Sequence, residues 1–314
     1  MMISFVIPIY NRPEELGELL ASFLRLQAPG DALSYEIIIV EDGSEIPSRE
    51  VVEKYRPTLP VTYLTQSNTG PSGARNHGAS AARGEWFLFL DSDTILPEGY
   101  LRALLPPVSD PSIGLFGGPD REHPDFTPIQ KGISYSMTAL LTTGGIRGGK
   151  GSVDRFYPRS FNMGIRRELF RQLGGFDLSM RYGEDLDLSM RAIERGAESR
   201  LASDAWLYHK RRTDFKAFFR QVSHSGEARW ALERKHPGTM KVVHWFPAAF
   251  TVFFALAFIR PYSQAFFLLY ALCILLDALV GYRYTFVESV NAVVASFVQH
   301  IGYGHGFLKG LFRR

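Results

Sequence analysis

The sequence predicts an α/β fold, a mainly parallel sheet with helices on both faces followed by a hydrophobic helical region, and three features of its 314 residues carry that expectation. Short apolar strands alternate with helical stretches up to about residue 240, the pattern of a parallel sheet built from strand and crossover helix. Several strands end in chemistry-capable residues: Asn11 and Arg12, then Asp42, then Asp91 and Asp93. After residue 241 the composition changes to two long apolar runs, Val242 to Ile259 and Ala265 to Val280. The expected division is a catalytic domain over 1–235 and a helical membrane-association region over 236–314.

Each element has its own signal. ISFVIPIYN reads as a short buried strand, and Pro13 opens a helix in which Leu16, Leu19, Leu20, Phe23 and Leu24 recur at helical spacing. YEIIIVEDGS is a second strand ending at Glu41 and Asp42, and VTYLTQ is a third. NTGPSGARNHGASAARG is a glycine-broken loop that turns into an alanine-rich helix, and WFLFL, from Trp86, is a strand running straight into Asp91, Ser92 and Asp93. The stretch between Gly117 and Phe161, rich in Gly, Pro and charge, suits a lid or acceptor-binding loop. Within it GGIRGGKG imitates a phosphate-binding loop, but Gly151 stands where Ser or Thr is required and no buried strand leads in, so that reading is rejected. GEDLDLSMRAIERG is a helix with Leu186, Met190, Ile193 and Ala197 as its buried stripe, which puts Glu184 and Asp185 in the first turn.

Composition narrows the function. A formal charge of +3 over this length argues against a nucleic-acid partner. The single cysteine, Cys273, cannot form an intrachain disulfide, fits a reducing compartment and excludes a cysteine metal cluster. MMISFVIPIYNRPEE has none of the features of a signal peptide, so the amino-terminal part is expected in the cytosol. The apolar runs are near the length needed to cross a bilayer, as a hairpin or as helices lying in the interface, while two buried soluble helices are the plainer alternative. Asp277, inside the second run, is expected to face protein or headgroups, and the basic tail with Lys309, Arg313 and Arg314 suits an anionic cytoplasmic leaflet.

The strand ends describe a pocket, since ligands in such sheets bind beyond the carboxyl ends of the strands. Asp91 and Asp93 suit a hard divalent cation, Mg²⁺ or Mn²⁺, although a capped turn explains them as well. Asp42 suits hydrogen bonds to a base or ribose, or an ordinary Asp-Gly-Ser turn. Arg75 and Asn76 could meet a diphosphate or sugar, or form a solvated first helical turn. Glu184 and Asp185 either offset a helix dipole or supply a catalytic base. His209 could join the aspartates as a third metal ligand, and the basic cluster behind it, including Arg211 and Arg212, could screen a departing diphosphate or touch anionic lipid.

Taken in order, FVIPIYNRPEEL, VEDGS, GPSGARNHG, FLFLDSD and GGFDLSMRYGEDLDLSMRAIERG resemble glycosyltransferase family 2 over about the first 230 residues. The resemblance implies a GT-A fold and metal-dependent transfer of a sugar, with inversion, from a nucleotide-sugar donor to a hydroxyl of a saccharide or glycolipid acceptor. It implies that Asp42 contacts the nucleotide in a donor pocket formed with Pro8, Tyr10, Asn11, Arg12, Arg75, Asn76 and Ser92, that Asp91 and Asp93 form the DxD site, and that Asp185 of the Glu184–Asp185 pair is the base. His209 matches a histidine found after that pair in many relatives. Glu41 departs from a common Asp but keeps the charge. The hydrophobic carboxyl-terminal part resembles that of bacterial members building cell-surface polysaccharide or glycolipid at the cytoplasmic face of the inner membrane, which adds membrane lipid, and a homodimer, to the expected partners. The Gln-x-x-Arg-Trp motif of processive synthases is not matched, because Gln221 is separated from Arg229 and Trp230, so single additions are expected. A polyprenyl-phosphate sugar synthase and a non-catalytic sugar-nucleotide binding protein are the alternatives.

Overall fold

The computed structural model describes residues 1–27, 30–143, 156–257 and 261–312. They divide into two compact units, one of Met1–Arg121, Val153–Met180 and Glu184–His209, the other of Glu122–Ser152, Arg181–Gly183 and Lys210–Arg314. The expected division at 235/236 falls at the end of a helix inside the second unit.

The first unit is an α/β sandwich. Its strands are β1 (Met2–Ile9), β2 (Ser34–Asp42), β3 (Val61–Gln66), β4 (Trp86–Leu90), β5 (Thr94–Ile95), β6 (Ile113–Gly117), β7 (Asp120–Arg121), β8 (Asn162–Arg166), β9 (Glu198–Leu201) and β10 (Leu207–His209). Among the described residues these form a seven-stranded sheet in the order β3-β2-β1-β4-β8-β6-β9 and a three-stranded one in the order β5-β10-β7. In the large sheet only β8 runs antiparallel to its neighbours, and it returns the chain beside β4.

Side-chain alternation sorts this sheet into two cores. Phe5, Ile7, Ile37, Ile39, Trp86, Leu88 and Leu90 face one side, with α1 (Pro13–Phe23), α2 (Arg49–Tyr55) and α4 (Tyr100–Ser109) over them. Val6, Ile38, Val40, Phe87 and Phe89 face the other, under α3 (Gly70–Ala81), α7 (Arg167–Gln172) and α8 (Glu184–Glu194). Burial on both faces is why these strands read as unbroken apolar runs. At Gly78 α3 comes so close to the sheet that a Cβ would lie 2.6 Å from Val6 Cγ1 and 3.0 Å from Val40 Cγ2. Leu24 falls after the end of α1 and is exposed, and α8 buries Leu188 and Ala192 fully whereas Ile193 is only half-buried and Ala197 lies beyond the helix end at Glu194. The expected single stripe is thus corrected: α8 packs against the sheet with a second row as well.

The second unit is helical: α5 (Pro128–Thr138), α6 (Leu140–Thr143), α9 (Phe215–Lys235), α10 (Phe246–Ala257), α11 (Pro261–Leu276) and α12 (Phe286–Phe312). The 117–161 stretch, read as a loop, holds α5 and α6; its glycine-rich part, with the rejected phosphate-loop match, lies outside the described residues. The signal for α5 was present, because Thr127 and Gln130 form a capping box around Pro128. α12 went unread because polar residues and four glycines interrupt its apolar pattern. Those glycines are its packing surface: a Cβ on Gly306 would lie 1.8 Å from the Ser223 carbonyl oxygen of α9. Among the described residues one stretch, Tyr262–Gly281, is long and apolar enough to cross a membrane, and Val242–Leu256 is a shorter apolar helix. Asp277 faces protein as expected, accepting a 2.6 Å hydrogen bond from the Tyr135 hydroxyl.

Candidate active site

The order in which strands are added reverses at β1, since β2 and β3 lie on one side of it and β4 on the other. A crevice beyond the carboxyl ends of the strands follows at that switch point, and the expected strand-end residues gather there. Pro8 pairs with Val40 inside the sheet, Tyr10 is exposed just past β1, and Ser92 is buried between the two aspartates. Asn11 sits at φ 54°, a left-handed position that asparagine tolerates, and its Oδ1 accepts from the amides of Glu45 (2.8 Å) and Ile46 (3.0 Å). Arg12 reaches across to Asp93, Nη1 to Oδ2 2.7 Å.

Asp42 works as a structural cap. Its carboxylate accepts from the amides of Thr69 and Gly70, both at 2.9 Å, and from Gln66 Nε2 at 2.7 Å, which pins the start of α3 to the end of β2. Glu41 also braces this loop, accepting from the Ser48 amide, the Tyr63 hydroxyl and Ser44 Oγ. Asn76, in α3, clamps the Phe176 backbone from both sides, donating to its carbonyl (2.8 Å) and accepting from its amide (2.9 Å). The side chain of Arg75 is only 4% exposed, with Nη2 2.7 Å from Asp91 Oδ1 and Nη1 3.1 Å from Glu184 Oε1. Burial acts to strip its proton, but the two carboxylates outweigh burial and raise its pKa.

Asp91, Asp93 and His209 each offer one ligand atom within 4.8 Å of the others. His209 Nε2 lies 3.2 Å from Asp93 Oδ1, an oxygen that is buried without a hydrogen bond, and the imidazole stacks on Phe161 with centroids 4.8 Å apart. An orphaned buried carboxylate oxygen beside a second carboxylate and an imidazole fits a hard or borderline divalent cation such as Mn²⁺. Burial pushes the Asp93 pKa up, and His209 and Arg12 more than reverse this, holding it well below the usual carboxylate range. Among the described residues β10 carries His209 to this edge, a placement that follows from β10 pairing with β5 just after Asp93.

The two carboxylates heading α8 have opposite environments. Burial, and then the Asp185 charge, raise the Glu184 pKa. For Asp185 burial also raises it, but Arg159 and the Leu186 amide prevail and its pKa is lowered. Arg159 Nε lies 2.8 Å from Asp185 Oδ2, and the Leu186 amide donates to Oδ1 at 2.8 Å. Arg159 and Phe161 were missed because nothing local in the sequence marks them, and the antiparallel return through β8 is what brings them to the site. Arg211 and Arg212 belong to the second unit, where Arg211 is buried and its carbonyl accepts from Gln130 Nε2 at 3.1 Å.

The depressed Asp185 fixes the sign of a pH effect. Its ionised form stabilises the fold at pH values above its unfolded pKa of about 3.9, and that stability is lost as pH falls towards the folded value. Glu184 has the reverse sign, with its contribution present below about 4.3 and lost as pH rises. Denaturant melts of Asp185→Asn over about pH 5 to 2 should therefore lose less stability on acidification than those of the parent, and parallel acid limbs would show that ionised Asp185 contributes nothing.

Comparison with known proteins agrees with this architecture. A Pre-mycofactocin glycosyltransferase of Mycobacterium tuberculosis is 28% identical over 243 residues, 75% of this chain and 48% of the relative, so the chain spans about half of that protein's length. Among solved structures, the mannosyltransferase PcManGT from Pyrobaculum calidifontis, in complex with GDP-Man and Mn²⁺, is similar with a TM-score of 0.60 at 17% identity, covering 99% of this chain and 87% of that one. S. aureus TarS 1-349 in complex with UDP-GlcNAc gives 0.53 at 17% identity, with 100% and 93% covered. At such identities these two likenesses speak for the fold, a GT-A fold with a mostly parallel central sheet. The family is fixed separately, because the Glycosyl transferase family 2 model matches residues 4–174, more than half of the sequence. The chain belongs to glycosyltransferase family 2.

Proposed function

We propose that this protein is an inverting glycosyltransferase that moves a sugar from a nucleotide-diphosphate sugar to a hydroxyl of a saccharide acceptor, with a divalent cation held by Asp91, Asp93 and His209. The observation that carries the reading is the gathering of these three side chains at the strand-end crevice, one guanidinium away from the acid pair of α8. A cation bound there would offset the charge of the departing diphosphate. Asp185 takes the proton of the acceptor hydroxyl as its oxygen bonds to the anomeric carbon, while the bond from that carbon to the diphosphate oxygen breaks on the opposite side. One displacement inverts the centre. Arg12 holds Asp93 in place, and Phe161 sets the plane of the His209 ring.

We also propose that α10 and α11 attach the protein to the cytoplasmic face of a bacterial inner membrane, and that the acceptor is lipid-linked. The support is the length and apolarity of Tyr262–Gly281 and the exposure of Leu268, Leu269 and Leu272 on it.

Three experiments test these readings. With UDP-sugar and GDP-sugar donors, Asp93→Ala should weaken donor binding in Mn²⁺ by about tenfold or more and leave it unchanged in EDTA; equal affinities of mutant and parent in both buffers reject the metal site. Asp185→Asn should fold, bind donor like the parent and lose transfer to a hydroxyl by at least about a hundredfold, whereas near-parental turnover would point to a phosphate acceptor, which needs no base. The full chain should sediment with membranes, and Leu268→Glu with Leu272→Glu should shift it to the soluble fraction; a parent that is a soluble monomer without detergent rules attachment out.

A further inference from the structure

Sequence position invites a reading of Arg75 as a donor-binding cation, but its geometry points elsewhere. Both terminal nitrogens are spent on protein carboxylates, Nη2 on Asp91 at 2.7 Å and Nη1 on Glu184 at 3.1 Å. The guanidinium carbon lies 5.5 Å from the centroid of the Phe176 ring, and Nε is buried with no hydrogen-bond partner. A group 4% exposed and braced in this way has little surface left for a diphosphate.

We propose that Arg75 is a positioning residue, a single guanidinium that spans the metal-site carboxylate Asp91 and the acid pair heading α8 and sets the distance between them. Its own backbone is fixed three ways. Asp42 caps the start of α3, Gly78 lets α3 rest against Val6 and Val40, and Asn76 locks the adjoining helix to the Phe176 backbone. Chemistry explains the choice of residue. Asp91, Glu184 and Asp185 would repel one another across a buried space, and a planar fork offers two donors in fixed directions, which an ammonium at the end of a flexible stem does not. A lysine at 75 preserves the charge but holds at most one of the two carboxylates at a time.

This inference rests on the proposed roles of Asp91 and Asp185, and the test separates the two. UDP and GDP affinities are measured by calorimetry in EDTA, turnover is measured at saturating donor and Mn²⁺, and melting temperatures are taken for Arg75→Lys, Glu184→Gln and the double variant. Arg75→Lys should keep nucleotide affinity within about threefold while kcat falls by about tenfold or more. A kcat at the parental level with a nucleotide affinity that falls as far as kcat/KM would make Arg75 a donor ligand and overturn the proposal. If the parent itself neither binds nucleotide nor turns over, the proposed function fails and the positioning role is judged on the melts alone. Glu184→Gln should then be more favourable to the melting temperature in the Arg75→Lys background than in the parent, because it removes a carboxylate that has lost its partner. Additive shifts would overturn the bridge. In Arg75→Met, which leaves two partly buried carboxylates uncompensated, recovery of folded protein on adding Glu184→Gln supports it as well.

Discussion

A buried positive charge among four carboxylates is the constraint on which this site depends. Arg75 and Arg12 are the cations that let Asp91, Asp93 and Glu184 stand close together, and Arg159 does the same for Asp185. Taking the buried Arg75 from its carboxylates costs more than those pairs add relative to an apolar replacement. A chain selected for stability alone would have little use for such a cluster. Its concentration at the open edge of the sheet marks a place where charge has work to do on a ligand.

The rest of the first unit can be understood as the frame for that cluster. Strict alternation along β1, β2 and β4 sends every second side chain to each of two cores, so the strands are gripped on both faces and their ends cannot shift in register without exposing a whole apolar row. Helix α3 is the mechanical link. It begins on Asp42, lies against the sheet at Gly78, carries Arg75 to the carboxylates and Asn76 to the Phe176 backbone. Residues that look like donor ligands in the sequence also hold one another.

The second unit obeys different physics. Its core is formed by α5, α9 and α12, whose backbones approach closely where glycines replace side chains, while α10 and α11 expose rows of Leu, Phe and Val. Asp277, near the end of the apolar helix, accepts from the Tyr135 hydroxyl, so its carboxyl finds a hydrogen-bond partner within the unit.

The sequence by itself determined the first four strands with α1, α3 and α8, the strand ends that carry chemistry and the family, because each depends on local periodicity and on motifs a few residues long. WFLFLDSD shows a buried strand meeting two carboxylates without any knowledge of the rest. Tertiary structure decided what those carboxylates face. In sequence Asp42 offers a turn or a nucleotide contact, and only the fold shows the start of α3 resting on it; Arg75 offers a diphosphate contact or a solvated turn, and only the fold brings Asp91 and Glu184 against it. Arg159 and Phe161 had no signal at all, since an antiparallel strand delivers them from a distant part of the chain. The physical reason is the same throughout: local propensity depends on neighbours in sequence, whereas a pKa, a buried ion pair or a metal-ligand set depends on neighbours in space, and only the packed sheet supplies those.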